Sequence, residues 1–214
     1  MLPIIVVALA QLLIATLNSF FKRLKSITFY KFHKLLLDIQ AKIHEEIIEV
    51  VGQDRLPSLE DRKNMHYTEA FLLESFRYTS FVPMAVFHST MKDVQYKGYY
   101  IPKDTAVISS LYHVMHDPVH FKNPGVFQPE RFLNQDGEFV HDDHVVPFGI
   151  GKRFCLGRTL AEKEFFLFFT GFIQKYKLEN VPGIKPPSYS IEDIHVAGIL
   201  RGVPPYELIL RKRI

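Results

Sequence analysis

Residues Phe148 to Gly157 read FGIGKRFCLG, and Cys155, near the end of that run, is the only cysteine in the chain. Gly149, Gly151 and Gly157 carry no β-carbon, so the backbone there can turn tightly and approach a flat ligand where other residues would clash. Leu156, Leu160, Ala161 and a Phe-rich stretch follow at helical spacing, which predicts a helix to about Lys175 and sets the sulfur near its N-terminus. Partial positive charge and backbone amides at such an end favour thiolate over thiol. An anionic sulfur on a Gly-rich loop, with Arg153 two residues before it, suits the axial ligand of a large planar macrocycle, haem. Thiolate ligation donates electron density to the iron and assists O–O cleavage. The plainer alternative is a buried thiol in a turn, the commoner fate of a lone cysteine. The glycines, Phe148 and Arg153 weigh against it.

A second charged group stands apart from that loop. Glu74 and Arg77, three apart in HYTEAFLLESFRYTS, share one face of a helix expected from about Tyr67 to Thr79, so the carboxylate can meet the guanidinium. Arg131, in FQPERF, offers a second rigid donor fork for the remaining carboxylate oxygen. If buried, such a cluster fixes geometry more than it adds net stability. On a helix surface it would be an ordinary solvated pair.

The run Phe148-x-x-Gly151-x-Arg153-x-Cys155-x-Gly157 resembles the haem-binding signature of the cytochrome P-450 family at every specified position. Glu74, Arg77 and Arg131 fall, in order, where that family places a buried triad supporting the proximal side of the haem. The resemblance, to members of animal microsomal type, implies a mainly α fold with a small β-sheet component (α+β), the C-terminal, haem-proximal part of the family fold. It implies haem b with Cys155 as axial iron ligand, and Phe148, Gly149, Gly151, Arg153 and Gly157 around it. Arg153 resembles a propionate contact. His88 occupies a second such place, although an isolated His at a strand start is otherwise a polar surface residue. The implied activity is a monooxygenase, an oxidoreductase placing one atom of dioxygen in an apolar small-molecule substrate. Electrons would come from NADPH through a flavoprotein reductase. Lys152, Arg158 and Lys163 could form a basic face to speed encounter with that partner. Ala85, Val86 and Val196 to Leu200 resemble segments bordering the substrate pocket.

The resemblance begins near Leu36 and covers less than half of a full member. The family's oxygen-activating helix, with its Ala-Gly-x-Asp/Glu-Thr pattern, and the upstream Trp-containing helix are not found before it, so no distal catalytic residue is assigned. The alternative to the monooxygenase is therefore a truncated, inactive chain that binds haem weakly or not at all.

Two histidine clusters raise the question of another metal. Neither His113, His116 and His120 nor His141 and His144, which flank two aspartates, has compact zinc-ligand spacing or cysteine support, so no zinc is expected. His116-Asp117-Pro118 resembles a family turn, and His141 to His144 reads as a solvated loop.

The elements around these residues follow from periodicity. Met1 to Phe21 carries no charged side chain and is followed by Lys22, Arg23 and Lys25. About 20 apolar residues suffice to span a bilayer, and basic residues after the span favour a cytosolic remainder. We expect a transmembrane anchor over 1–21, of the kind family members hold in the endoplasmic reticulum membrane, a basic linker over 22–35, and a partial P-450 domain over 36–214. A buried segment and a cleaved signal peptide are the alternatives to the anchor. Leu36, Ile39, Ile43, Ile47 and Val50 predict an amphipathic helix stopped at Gly52, with Lys42, Glu45, Glu46 and Glu49 in solvent. Pro83 prevents simple continuation of the Glu74 helix. Short strands in a hairpin-like arrangement are expected between Val86 and Ile108, and another from Val203 to Leu210. Residues 123–134 read as irregular structure anchored by Phe127 and Phe132. With 47% hydrophobic residues the chain can bury a sizeable core. A single cysteine excludes an internal disulfide, and a net charge of +3 with no aromatic-basic module gives no sign of nucleic acid as a partner.

Overall fold

The computed structural model describes residues 32–184, 195–197, 200–202 and 207–213. The anchor reading and most of the basic linker lie outside the described residues, and among these no helix is long and apolar enough to cross a membrane. The architecture is mixed α+β. Helix α1 (Phe32–Val50), α2 (His66–Thr79), the short α3 (Leu111–Met115) and α4 (Arg158–Lys175) carry the core. Strands β1 (His88–Ser89), β2 (Val94–Tyr96), β3 (Tyr99–Ile101), β4 (Ala106–Val107), β5 (Tyr176–Asn180), β6 (His195–Ala197), β7 (Leu200–Gly202) and β8 (Leu208–Lys212) form antiparallel pairs β1–β4, β2–β3, β5–β8 and β6–β7. Strand β8 ends two residues beyond the expected Val203–Leu210, whose first part, 203–206, is outside the described residues.

Helix α1 buries Ile39, Ile43 and Ile47, the stripe expected from its four-residue spacing. It stops where the N–H of Gly52 bonds back to the carbonyls of Ile47 and Ile48. Glu46 departs from the expected solvent face. Its two carboxylate oxygens accept the backbone N–H groups of Tyr67 (2.7 Å) and Thr68 (2.8 Å), and one also takes the Thr68 hydroxyl at 2.6 Å. These are free donors of the first turn of α2, whose N-cap, Met65, has no side-chain acceptor. A carboxylate at a helix N-terminus also meets the favourable end of its dipole. Helix α2 ends at Ser80, whose φ is 40° and whose hydroxyl donates to the Arg77 carbonyl, so the stop precedes Pro83.

Two buried clusters result. One joins α1, α2 and α4 through residues such as Ile43, Met65, Leu72, Phe127 and Phe166. The other joins α2 and α3 to the meander beyond through Ala70, Met115, Phe121, Phe132 and Val146. Phe127 and Phe132 are both buried, so the irregular stretch that carries Arg131 is pinned at two points. Side-chain amides tie the periphery: Gln40 exchanges two hydrogen bonds with the backbone of Leu178 on β5, and Gln174 donates to the carbonyls of Gly52 and Arg55.

Candidate functional site

Glu74 and Arg77 are fully buried on α2, with paired bonds from Arg77 Nε to Glu74 Oε2 (2.6 Å) and from Arg77 Nη2 to Oε1 (2.8 Å). Arg131 Nε reaches Oε1 at 3.2 Å, and the backbone N–H of Gln128 reaches the same oxygen at 2.8 Å. Arg131 thus shares the oxygen already used by Arg77 rather than taking the other one. Its remaining nitrogens donate to the carbonyls of Lys122 and Val126, while Arg77 Nη1 donates to the carbonyl of Met115. One carboxylate therefore gathers α2, the end of α3 and the 122–131 meander. The Gln128 donor was not legible in sequence, because it depends on the path of a segment with no periodic pattern.

The same helix holds the cysteine loop. Phe76, one residue before Arg77, packs edge-on against Phe148 (centroids 5.4 Å apart) and against Phe165 of α4 (5.3 Å). Phe148 in turn accepts the N–H of Cys155 on its carbonyl at 2.8 Å, closing the loop on itself. Gly149 and Gly151 have φ of 72° and 71°, the left-handed region where a β-carbon is penalised. Gly157 differs from the expectation of a tight turn. Its φ is −82°, and an added β-carbon would meet the Cys155 sulfur at 3.8 Å, ordinary contact distance. What it contributes is a bare backbone beside the sulfur at the N-cap of α4. Of the nearby amides, those of Phe154, Cys155 and Arg158 are committed to carbonyls.

The thiol is half-buried while Ile150, Phe154 and Leu156 around it are exposed, Leu156 at 86%. This set, one soft sulfur donor beside glycine backbone and rimmed by apolar side chains, fits a flat, largely apolar metal macrocycle bound through a single thiolate. It fits a zinc ion poorly, which calls for several ligands.

The other sequence candidates are more dispersed. Arg153 is exposed in a 3-10 turn, Gly151–Arg153, and His88 lies on β1 opposite Val107. No contact among the described residues joins these two. Lys152 and Lys163 are exposed, but Arg158 is paired with Glu162 (2.8 Å), so the expected basic face is weaker by one charge. Val86 is exposed, and the Ala85 N–H bonds to the carbonyl of Ser109. The Arg201 N–H on β7 bonds to the carbonyl of Phe81, which brings the end of the 196–200 stretch beside the chain leaving α2; residues 198–199 lie outside the described residues.

The first histidine cluster is divided in space. His113 meets the Ser110 hydroxyl at the start of α3, and His116 is buried with its ring stacked on Tyr112 at 4.2 Å. Burial drives the His116 pKa down to about 4, opposed chiefly by the hydrogen bond of Nδ1 to the Tyr112 carbonyl and helped by Arg77 and Arg201. His120 leaves this group and pairs with Asp142, beside His144 of the second cluster.

A thiol loop packed against the helix that carries Glu74 and Arg77 of a buried charge cluster, in a mixed α+β scaffold, defines a specific class. The chain belongs to the cytochrome P450 family, whose model matches residues 32–210. It is 37% identical to Cytochrome P450 2G1 of Rattus norvegicus over 214 residues, which is 96% of this chain and 42% of that protein. It is 39% identical to Cytochrome P450 2A13 of Homo sapiens over 198 residues, 90% of this chain and 40% of that protein. It is also 43% identical to the farnesoate epoxidase of Bombyx mori over 154 residues, 70% and 31% of the two chains. The chain thus spans well under half the length of the curated relatives it matches.

Proposed function

We propose that this chain carries the proximal part of a haem-thiolate monooxygenase site, serving to place one atom of dioxygen in an apolar substrate with electrons drawn from NADPH through a flavoprotein reductase. The observation that carries this reading is the Cys155 loop, closed on Phe148 and held through Phe76 to the helix bearing Glu74 and Arg77. A relative whose name makes it an epoxidase of farnesoate supports an apolar substrate and oxygen insertion.

Haem, when bound, would supply the site at which dioxygen is activated. The chain's own residues would hold and tune it. Cys155 would give its sulfur as thiolate, at the N-terminus of α4, where the helix dipole favours negative charge. Ile150, Phe154 and Leu156 would lie along the macrocycle and keep water from the sulfur. Arg153 and His88 would offset the propionate charges. The Glu74, Arg77 and Arg131 cluster would position the loop without touching the cofactor. Exposed Lys152 and Lys163 would favour encounter with an acidic reductase surface. We assign the membrane as the location on the strength of the apolar run 1–21 and the basic residues after it, and the endoplasmic reticulum on the resemblance to animal microsomal family members.

The test is to offer hemin to the chain, reduce it and add carbon monoxide. A red-shifted Soret band of thiolate-ligated haem is expected, and Cys155→Ser should abolish it. Persistence of the band in that variant would overturn the ligand assignment. Failure of the chain to take up hemin would favour the inactive alternative.

A further inference from the structure

Asp142 stands between two imidazoles that come from distant parts of the chain. Its Oδ2 is 2.8 Å from Nε2 of His120, its Oδ1 is 3.3 Å from Nδ1 of His144, and the two rings lie nearly parallel, with centroids 3.5 Å apart. One ligating atom from each of the three residues lies within 4.8 Å of the others. We propose that His120, Asp142 and His144 form a binding site for a divalent transition-metal cation of the zinc type, separate from the cysteine loop.

The donor set selects the class of ion. Two imidazoles and one carboxylate suit zinc, copper or nickel, whereas calcium and magnesium require oxygen donors. Ligand atoms around tetrahedral zinc stand about 3.3 Å apart, given metal–ligand distances of about 2.0–2.1 Å. Imidazole lone pairs lie in the ring planes, so a shared ion asks one ring to rotate out of the stack, which His144, with its side chain 54% exposed, can do. Water can fill the remaining coordination positions, since His120 and Asp142 are also partly exposed.

The backbone on both sides is already fixed. His120 precedes buried Phe121 and packs on its ring edge, while Asp142 and His144 precede buried Val145 and Val146, and all three apolar residues belong to one core cluster. Asp142 Oδ1 also accepts the N–H of His144 at 2.9 Å, and the Asp142 carbonyl accepts that of Val145 at 3.0 Å, so the turn presents both ligands in one orientation. Little ordering remains to oppose binding. Burial works against ionisation of Asp142, but the His120 bond, the His144 N–H and the His144 ring outweigh it and hold the carboxyl below the usual range, in its ligating form. A cation would replace the hydrogen-bonded contact of each imidazole nitrogen with the carboxylate; a neutral imidazole keeps its N–H on the other nitrogen, and protons compete with the cation for the rings as pH falls. The sequence separates these residues into two clusters with no ligand spacing, because the pairing of His120 with 142–144 is made by the core beneath them.

Titration of the full 214-residue chain with zinc chloride, followed by calorimetry at pH 7.5 and at pH 5.5, tests the site. One equivalent is expected to bind at pH 7.5, and more weakly at pH 5.5. His120→Ala, Asp142→Asn and His144→Ala should each lose about tenfold or more in affinity. His113→Ala, His141→Ala and Cys155→Ser should stay within about twofold. His144 is exposed on a loop, so its variant will fold even if Asp142→Asn does not, and urea midpoints verify this. Absence of stoichiometric zinc, affinity unmoved in His144→Ala, or binding lost in Cys155→Ser would each overturn the assignment.

Discussion

Glu74 accepts four hydrogen bonds from three residues. Oε1 alone takes Arg77 Nη2, the Gln128 N–H and Arg131 Nε, and Oε2 takes Arg77 Nε. Both Glu74 and Arg77 have no solvent exposure, so loss of the carboxylate charge strands a buried guanidinium. Removing one member of such a buried pair costs about 3–5 kcal/mol. Glu74→Gln is therefore expected to lower unfolding free energy by about that much in urea titration. Arg131→Lys should cost less, about 1–2 kcal/mol, because it gives up hydrogen bonds at a side chain that reaches the cluster's partly exposed edge. Equal losses in the two variants would contradict this ordering. The helical spacing of Glu74 and Arg77 made their pairing legible in the sequence, and the glycines of the Cys155 loop made its tight turns at Gly149 and Gly151 legible too. The sharing of Oε1 was not legible, since three donors can converge on one oxygen only after the 122–131 chain has been laid down.

Among the elements, α2 has the central part, because it is capped from α1, braced by the meander and packed on the cysteine loop. Its spacing marked it as a helix in the sequence, yet its start owes nothing to local capping. Glu46 reads as a solvent-facing residue by helical periodicity alone. It faces the N2 and N3 amides of α2 because the buried Ile39, Ile43 and Ile47 stripe sets the rotation of α1. Glu46→Ala should destabilise by about 1–2 kcal/mol, the cost of losing an N-cap acceptor, and speed amide exchange most in the first turn of α2. An unchanged exchange pattern there would refute the capping role. At the far end of the helix, Phe76→Ala removes an aromatic contact to both Phe148 and Phe165. A loss of about 2–4 kcal/mol is expected in urea titration. The sharper readout is the amide of Cys155, bonded to the Phe148 carbonyl, which should exchange faster in Phe76→Ala than in Phe76→Leu.

At the scale of the whole molecule, two buried ionisable groups make stability depend on pH in different windows. His116 is 8% exposed, its ring is stacked on Tyr112, and its Nε2 has no hydrogen-bond partner among the described residues. Burial, with Arg77 and Arg201 nearby, holds its pKa at about 4, against about 6.5 in an unfolded chain. Below the unfolded value the open chain binds a proton that the native state refuses, so stability falls as pH drops from about 6.5 to about 4 and then levels off with respect to this residue. Linkage sets the loss on the order of 3 kcal/mol. Asp61 acts lower. Its paired bonds from Arg55, aided by Ser58 and opposed by burial, hold its carboxyl well below the usual carboxylate range. Its contribution is complete above about pH 4 and is lost as pH falls further toward the native value. Urea midpoints measured from pH 7.5 to 3 should therefore decline in two stages. His116→Gln removes the titrating group and should flatten the stage between about pH 6.5 and 4, whatever it does to the absolute stability. Asp61→Asn should leave that stage intact and flatten the one below it. A decline between pH 6.5 and 4 that is equally steep in wild type and His116→Gln would show that this histidine is not the group linking protonation to unfolding.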